Sequence, residues 1–183
     1  MPKAANVTTG KPRVAGAIFR APKGTTLPTD AKSALDAAFV DMGYIGDDGV
    51  TNSNTRTSED VKAWGGLVVM TSQTEYKDTF KFKFLETLNK NVLGTVYKES
   101  NVSGTDLDEG IKVRVNSQEL DEYAWVIDMI LRDNVLNRIV IPAAKISELG
   151  DVSYKDNEVT AFDVTLTAFP DEDGDTHKEY KQK

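Results

Sequence analysis

Three phenylalanines spaced by lysines, Phe80-Lys81-Phe82-Lys83-Phe84, constrain this chain more than any other stretch. Side chains alternate faces along a strand, so the pattern predicts a β-strand with one buried aromatic face and one wet, cationic face. Just upstream, Leu67 to Glu75 is a second β-rich run. Between Ile45 and Trp64 lies a long polar segment that includes Asp47, Asp48, Asn52, Asn54, Arg56, Glu59 and Asp60. With so little apolar material to bury, residues 46–62 are expected to form a long loop. Loops of that length in a compact domain are uncommon and are usually functional or disordered. This one is expected to order against a neighbouring subunit.

The rest of the chain reads as mainly β. Arg13 to Ala21 suits a first strand, closed by Pro22 and Gly24. A helix is expected next: Thr29 is a plausible N-cap after Pro28, Leu35, Ala38, Phe39 and Met42 recur at helical spacing, and Gly43 stands at a helix end. A second short helix is expected within Leu85 to Tyr97, with Leu88, Val92, Leu93 and Val96 on one face. Ile111, Val113 and Val115 alternate with Lys112 and Arg114. Tyr123 to Leu131 is apolar on both faces, which predicts a central strand. Arg132 to Val135 reads as a tight reversal into a strand from Leu136 to Pro142. In the final strand, Val159 to Phe169, the residues Phe162, Val164, Leu166 and Ala168 face one way. The tail over 170–183 is charged and expected to be loose. About seven or eight strands with two short helices predict a β-sandwich or barrel-like fold. At 183 residues the chain suits a single domain.

Charge is unevenly placed. The net charge is -7, yet no acidic residue precedes Asp30, so Lys3, Lys11, Arg13, Arg20 and Lys23 give +5 and leave -12 for the remainder. Residues 1–14 form a basic arm on an acidic body. Without interleaved aromatics the arm makes a poor nucleic-acid footprint. Lying on the acidic surface of another copy, it would gain steering and register.

Motifs for chemistry are scarce. The absence of cysteine removes disulfides, thiolate metal sites and a cysteine nucleophile. His177 is the only histidine and lies in the charged tail, a poor place for the base of a Ser-His-Asp triad. Gly43 and Gly46 lack the Lys-Ser/Thr of a phosphate loop. Aligning Gly174 of the run Asp171-Glu172-Asp173-Gly174-Asp175 with an EF-hand glycine puts Phe169 where the first carboxylate must be, which leaves a solvated acidic turn. Asp47-Asp48 and Glu59-Asp60 could form a glycosidase pair only at a separation that one sequence does not fix. No cofactor or metal is expected. No apolar run approaches a membrane span and the first ten residues lack a signal-peptide core, so the expected setting is a cytoplasm, away from membranes. Trp125 is expected in the core, and Trp64, before Gly65-Gly66, at a core edge or a subunit interface.

Taken in order, Ala17-Ile18-Phe19-Arg20-Ala21-Pro22, Gly24-Thr25-Thr26-Leu27-Pro28-Thr29, Leu35-Asp36-Ala37-Ala38-Phe39, Gly43-Tyr44-Ile45, Val61-Lys62-Ala63-Trp64-Gly65-Gly66 and Asp78-Thr79-Phe80-Lys81-Phe82 resemble the major tail tube protein of long-tailed, non-contractile bacteriophages, especially those of Gram-positive hosts. Trp125-Val126-Ile127-Asp128 and Arg138-Ile139-Val140-Ile141-Pro142 continue the likeness. The resemblance implies a structural protein whose hexameric rings stack into a hollow tube carrying the genome, with tape measure, tail terminator and distal tail proteins as partners. It implies a virion tail assembled in the host cytoplasm, with DNA only in passage. By position it assigns inter-subunit contact to Lys11, Arg13, Asp47, Asp48, Asn52, Asn54, Arg56, Glu59, Asp60 and Trp64. An acidic wall suits such a conduit, because tight binding draws on cations that replace counterions on phosphate. Two other readings are a secretion or injection tube subunit with a protein cargo, and a carbohydrate-binding β-sandwich with exposed aromatics in a groove.

Overall fold

The computed structural model describes residues 1–13 and 16–183, so Val14, within the basic arm and the expected first strand, and Ala15, within that strand, lie outside the described residues. Chain order runs β1 (Lys11–Pro12), β2 (Ile18–Pro22), β3 (Val40–Asp41), β4 (Thr51–Lys62), β5 (Val68–Phe84), α1 (Lys90–Tyr97), β6 (Val102–Ser103), β7 (Lys112–Val113), β8 (Tyr123–Ile130), β9 (Leu136–Leu149), β10 (Phe162–Phe169) and β11 (Lys178–Gln182). Among the described residues nine strands form one sheet, ordered β3-β2-β8-β9-β10-β5-β4, with β1 on β8 and β11 on β9, while β6 and β7 pair apart. The fold is mainly β and sandwich-like, and the sheet does not close into a barrel.

The periodic strands fold as their patterns require. Phe80, Phe82 and Phe84 are buried on β5, and Phe162, Val164, Leu166 and Ala168 on β10. The two strands pair antiparallel with Phe162 opposite Phe84, Val164 opposite Phe82 and Leu166 opposite Phe80. Same-face neighbours this close are the unit of sheet stabilisation. The central place expected for Tyr123 to Leu131 is held by β8, flanked by β2 and β9. Trp125 is buried in the core and its indole N–H donates to Ala144 O at 3.2 Å. The reversal at Arg132 to Val135 is a tight turn with Asp133 and Asn134 at φ 58° and 57°, in the left-handed region those residue types tolerate best. Strand β9 then runs past Pro142, changing partner from β11, which pairs Leu136 to Val140, to β10, which pairs Ala143 to Leu149. A proline, which gives no N–H to a ladder, stands at that handover.

Three expectations are overturned. First, no helix forms between Thr29 and Met42. Short aspartates there bond the backbone into turns instead: Asp30 Oδ1 accepts from Lys32 N and Ser33 N, both at 2.6 Å, Asp36 Oδ1 from Ala38 N at 2.9 Å, and Asp41 Oδ1 from Gly43 N at 2.9 Å. Such local bonds compete directly with helical ones. The same amides of Ser33 and Lys32 hold the Asp30 carboxyl below its ordinary value. The coil is fastened to the sheet by Arg138, whose Nη1 donates to Asp30 O at 3.2 Å and Ser33 O at 2.8 Å. The second expected helix does form, as α1, capped by Asn89 Oδ1 accepting from Asn91 N, with Val92, Leu93 and Val96 buried. Leu88 precedes it and is exposed.

Second, residues 46–62 are not a long loop, because Thr51–Lys62 is a twelve-residue strand paired along its length with β5. Likewise Leu67 to Glu75 and the phenylalanine strand are one element of seventeen residues. Third, the tail is not loose. Strand β11 pairs with β9, and Thr176 is buried.

Gly43 marks where the coil turns into the body. Its φ is +74°, and a Cβ there would run into the carboxyl group of Glu86. That carboxylate accepts from Tyr44 N at 3.0 Å and Asn89 Nδ2 at 2.9 Å, so it has little freedom to retreat. Gly43→Ala is expected to lose roughly 1–3 kcal/mol, read as a lower urea midpoint at unchanged slope.

Candidate functional site: a projecting hairpin and its root

Strands β4 and β5 leave the sheet together. Near their root, Phe80 opposite Asn52 is buried; farther out, every residue of β4, and of β5 from Val68 to Lys77, is exposed. Nine paired residues from Asn54 to Lys62 span roughly 30 Å at strand rise. The shank is polar on both faces and held by cross-strand bonds: Asn54 Nδ2 donates to Tyr76 Oη at 2.7 Å, the Arg56 guanidinium lies 4.8 Å over the Tyr76 ring, and Thr71 Oγ1 donates to Asp60 Oδ1 at 2.9 Å. Its tip is different. Val61, Trp64, Leu67, Val68, Val69 and Met70 are all exposed, Trp64 completely. The reversal uses Gly65 and Gly66 at φ +100° and +89°, with Ala63 N donating to Leu67 O at 2.8 Å.

The residues expected at subunit contacts divide into two places. Asn54, Arg56, Glu59, Asp60 and Trp64 lie on the projecting hairpin, with Asn52 at its root, where Asn52 Nδ2 donates to Asp78 Oδ1 at 2.7 Å. Lys11, Arg13, Asp47 and Asp48 line one open groove of about 1050 Å3 beneath the coil at Gly43. Arg13 is engaged within the chain, with Nη1 3.1 Å from Asp128 Oδ2. Asp128 also takes a two-pronged bond from Arg138, Nε to Oδ1 at 2.7 Å and Nη2 to Oδ2 at 2.8 Å. Arg20 and Lys23 likewise pair with Glu99 at 2.5 Å and Glu122 at 2.7 Å. Lys3 and Lys11 remain exposed.

Sequence reasoning missed the cluster at the hairpin root. Asp78 is 1% exposed, and Asp78 Oδ2 meets Thr176 Oγ1 at 2.7 Å and His177 Nδ1 at 2.6 Å. The threonine hydroxyl points at the carboxylate and not at the imidazole, so this is not the nucleophile-to-base arrangement of a hydrolase. Asp171 and Lys178 pair at 2.6 Å, with Asp173 and Asp175 also near the ammonium, so a lysine provides the cation in the acidic turn. The Lys178 ammonium holds the Asp171 carboxyl below its ordinary range, and that carboxylate raises Lys178 in turn.

A family model described as phage tail tube protein matches residues 8–180, nearly the whole chain. The chain belongs to that family. A search of curated proteins found no match. Membership in the tail tube family gives the chain a structural role in the tail of a phage particle.

Proposed function

We propose that this chain polymerises as stacked rings, six subunits to a ring, into the tail tube through which a phage genome is delivered. The observation that carries the reading is the hairpin: a polar shank ending in an apolar tip whose side chains are exposed in its own subunit. Apolar area left in water costs about 25 cal/mol per Å2, so six exposed apolar side chains at one tip favour an acceptor surface. A head-to-tail contact whose rotation closes makes a ring, and the outer edge of β4, unpaired among the described residues, offers main-chain hydrogen bonds to the same end. Asn54, Arg56, Glu59, Asp60 and Trp64 meet the neighbouring ring, and Lys11, Asp47 and Asp48 form the lip of the receiving groove. Arg13 and Asn52 hold the shape of their own subunit. The net charge of -7 suits a wall past which DNA slides without binding. Tape measure, tail terminator and distal tail proteins are the remaining partners, and assembly takes place in the host cytoplasm.

Tryptophan emission tests this directly. Trp125 is fully buried and Trp64 fully exposed, so the difference between the native spectrum and that of Trp64→Phe reports Trp64 alone. Its emission is expected to shift to the blue as the protein polymerises. Unchanged, water-like emission from Trp64 in assembled material would place the tip outside the contact.

A further inference from the structure

The C-terminal segment closes over the root of the hairpin. One Asp78 oxygen accepts from Asn52 Nδ2 within the hairpin, and the other faces Thr176 Oγ1 and His177 Nδ1. Two residues farther out, the Tyr76 hydroxyl stands 3.2 Å from Thr176 Oγ1, and the His177 ring meets Phe80 edge-on at 5.2 Å. Thr176 and His177 are themselves fixed on both sides, by the Asp171 to Lys178 pair and by β11 on β9. Among the described residues, the polar contacts between the hairpin beyond Asn52 and the rest of the chain gather at this point. A two-stranded ribbon with wet faces bends where its last buried contact ends, because nothing beyond holds its direction.

We propose that Thr176 and His177 act as a clasp that sets the direction of the hairpin relative to the sheet. The clasp delivers the hairpin already aimed, which lowers the ordering entropy that a contact must otherwise meet. Its consequence for assembly rests on the tube reading; the clasp itself does not. Asp78 is the acceptor, Tyr76 extends the clasp outward, and Glu179, 4.0 Å from His177 Nε2, is the other charged group near the imidazole.

The chain has no cysteine, so Ser58→Cys on the hairpin and Lys90→Cys at the start of α1, both exposed positions, take spin labels uniquely. Pulsed dipolar distances are read on dilute, unassembled subunits. Adding Thr176→Val with His177→Phe removes both bonds to Asp78 while keeping bulk against Phe80, and is expected to widen the distance distribution about twofold. Adding Lys181→Ala, on the adjoining strand β11 with its side chain paired to Glu179, leaves the width unchanged. An unaltered width in the double variant overturns the clasp. Should the pair fail to fold, His177→Phe alone is expected to give a smaller widening, and no widening there overturns it equally. Distances are read before assembly, so the clasp and the tube reading fail separately.

Discussion

Excising Thr57 to Glu75 and joining Arg56 to Tyr76 through an Asn-Gly turn is expected to give a folded subunit that makes no tubes. Arg56 and Tyr76 lie opposite each other in the ladder, so a two-residue turn of the hairpin type can reconnect them. Every residue removed is exposed, and the bonds lost run between β4 and β5 themselves. The core built on Phe80, Phe82, Phe84, Val164 and Leu166 is untouched, so the melting temperature should change little. The apolar tip and most of the polar shank go together, and with them the proposed contact to the next ring. Circular dichroism checks the fold and electron micrographs check the tubes. Tubes of normal length from this variant would refute the role given to the hairpin.

The largest loss of stability is expected from Asp128→Ala. Arg138 is 2% exposed and its guanidinium is held by both Asp128 oxygens, with Arg13 on the outer side of the same carboxylate. Removing the carboxylate leaves a buried cation without its counter-charge, which costs about 3–5 kcal/mol. The effect should reach the 30–33 coil as well, because Arg138 holds that coil by its carbonyls. Asp128→Leu combined with Arg138→Met removes both charges and is expected to recover much of the loss, as apolar replacement of a whole buried pair often does. Urea unfolding measures both variants. A loss below about 1 kcal/mol from Asp128→Ala would mean that Arg138 finds other compensation, such as water, and that the cluster is not what joins coil to sheet.

Strands with one dry face could be read directly from the residues. Phe80 to Phe84 and Phe162 to Phe169 bury every second side chain as their alternation requires, and the apolar run at Tyr123 to Ile130 became the central strand. The hairpin beyond Asn54 could not be read that way, because a ribbon wet on both faces leaves no period-two pattern in hydrophobicity. Its available signals were the β-branched Thr55, Thr57 and Val61, and the Gly65-Gly66 pair between two β-prone runs. The helix expected from Thr29 failed at Asp30, Asp36 and Asp41, where local carboxylate-to-amide bonds shape the chain. The clasp was out of reach altogether: His177 and Asp78 stand 99 residues apart, and nothing near either announces the other.

Free subunits of this chain are expected to join each other through the hairpin. Purified native protein, concentrated stepwise and viewed by negative-stain electron microscopy beside the Thr57 to Glu75 excision, is the most direct measurement. Hollow tubes of uniform width from the native chain, and dispersed particles from the shortened one, are the predicted result. Native protein that stays monomeric at every concentration, or tubes from both, would contradict it.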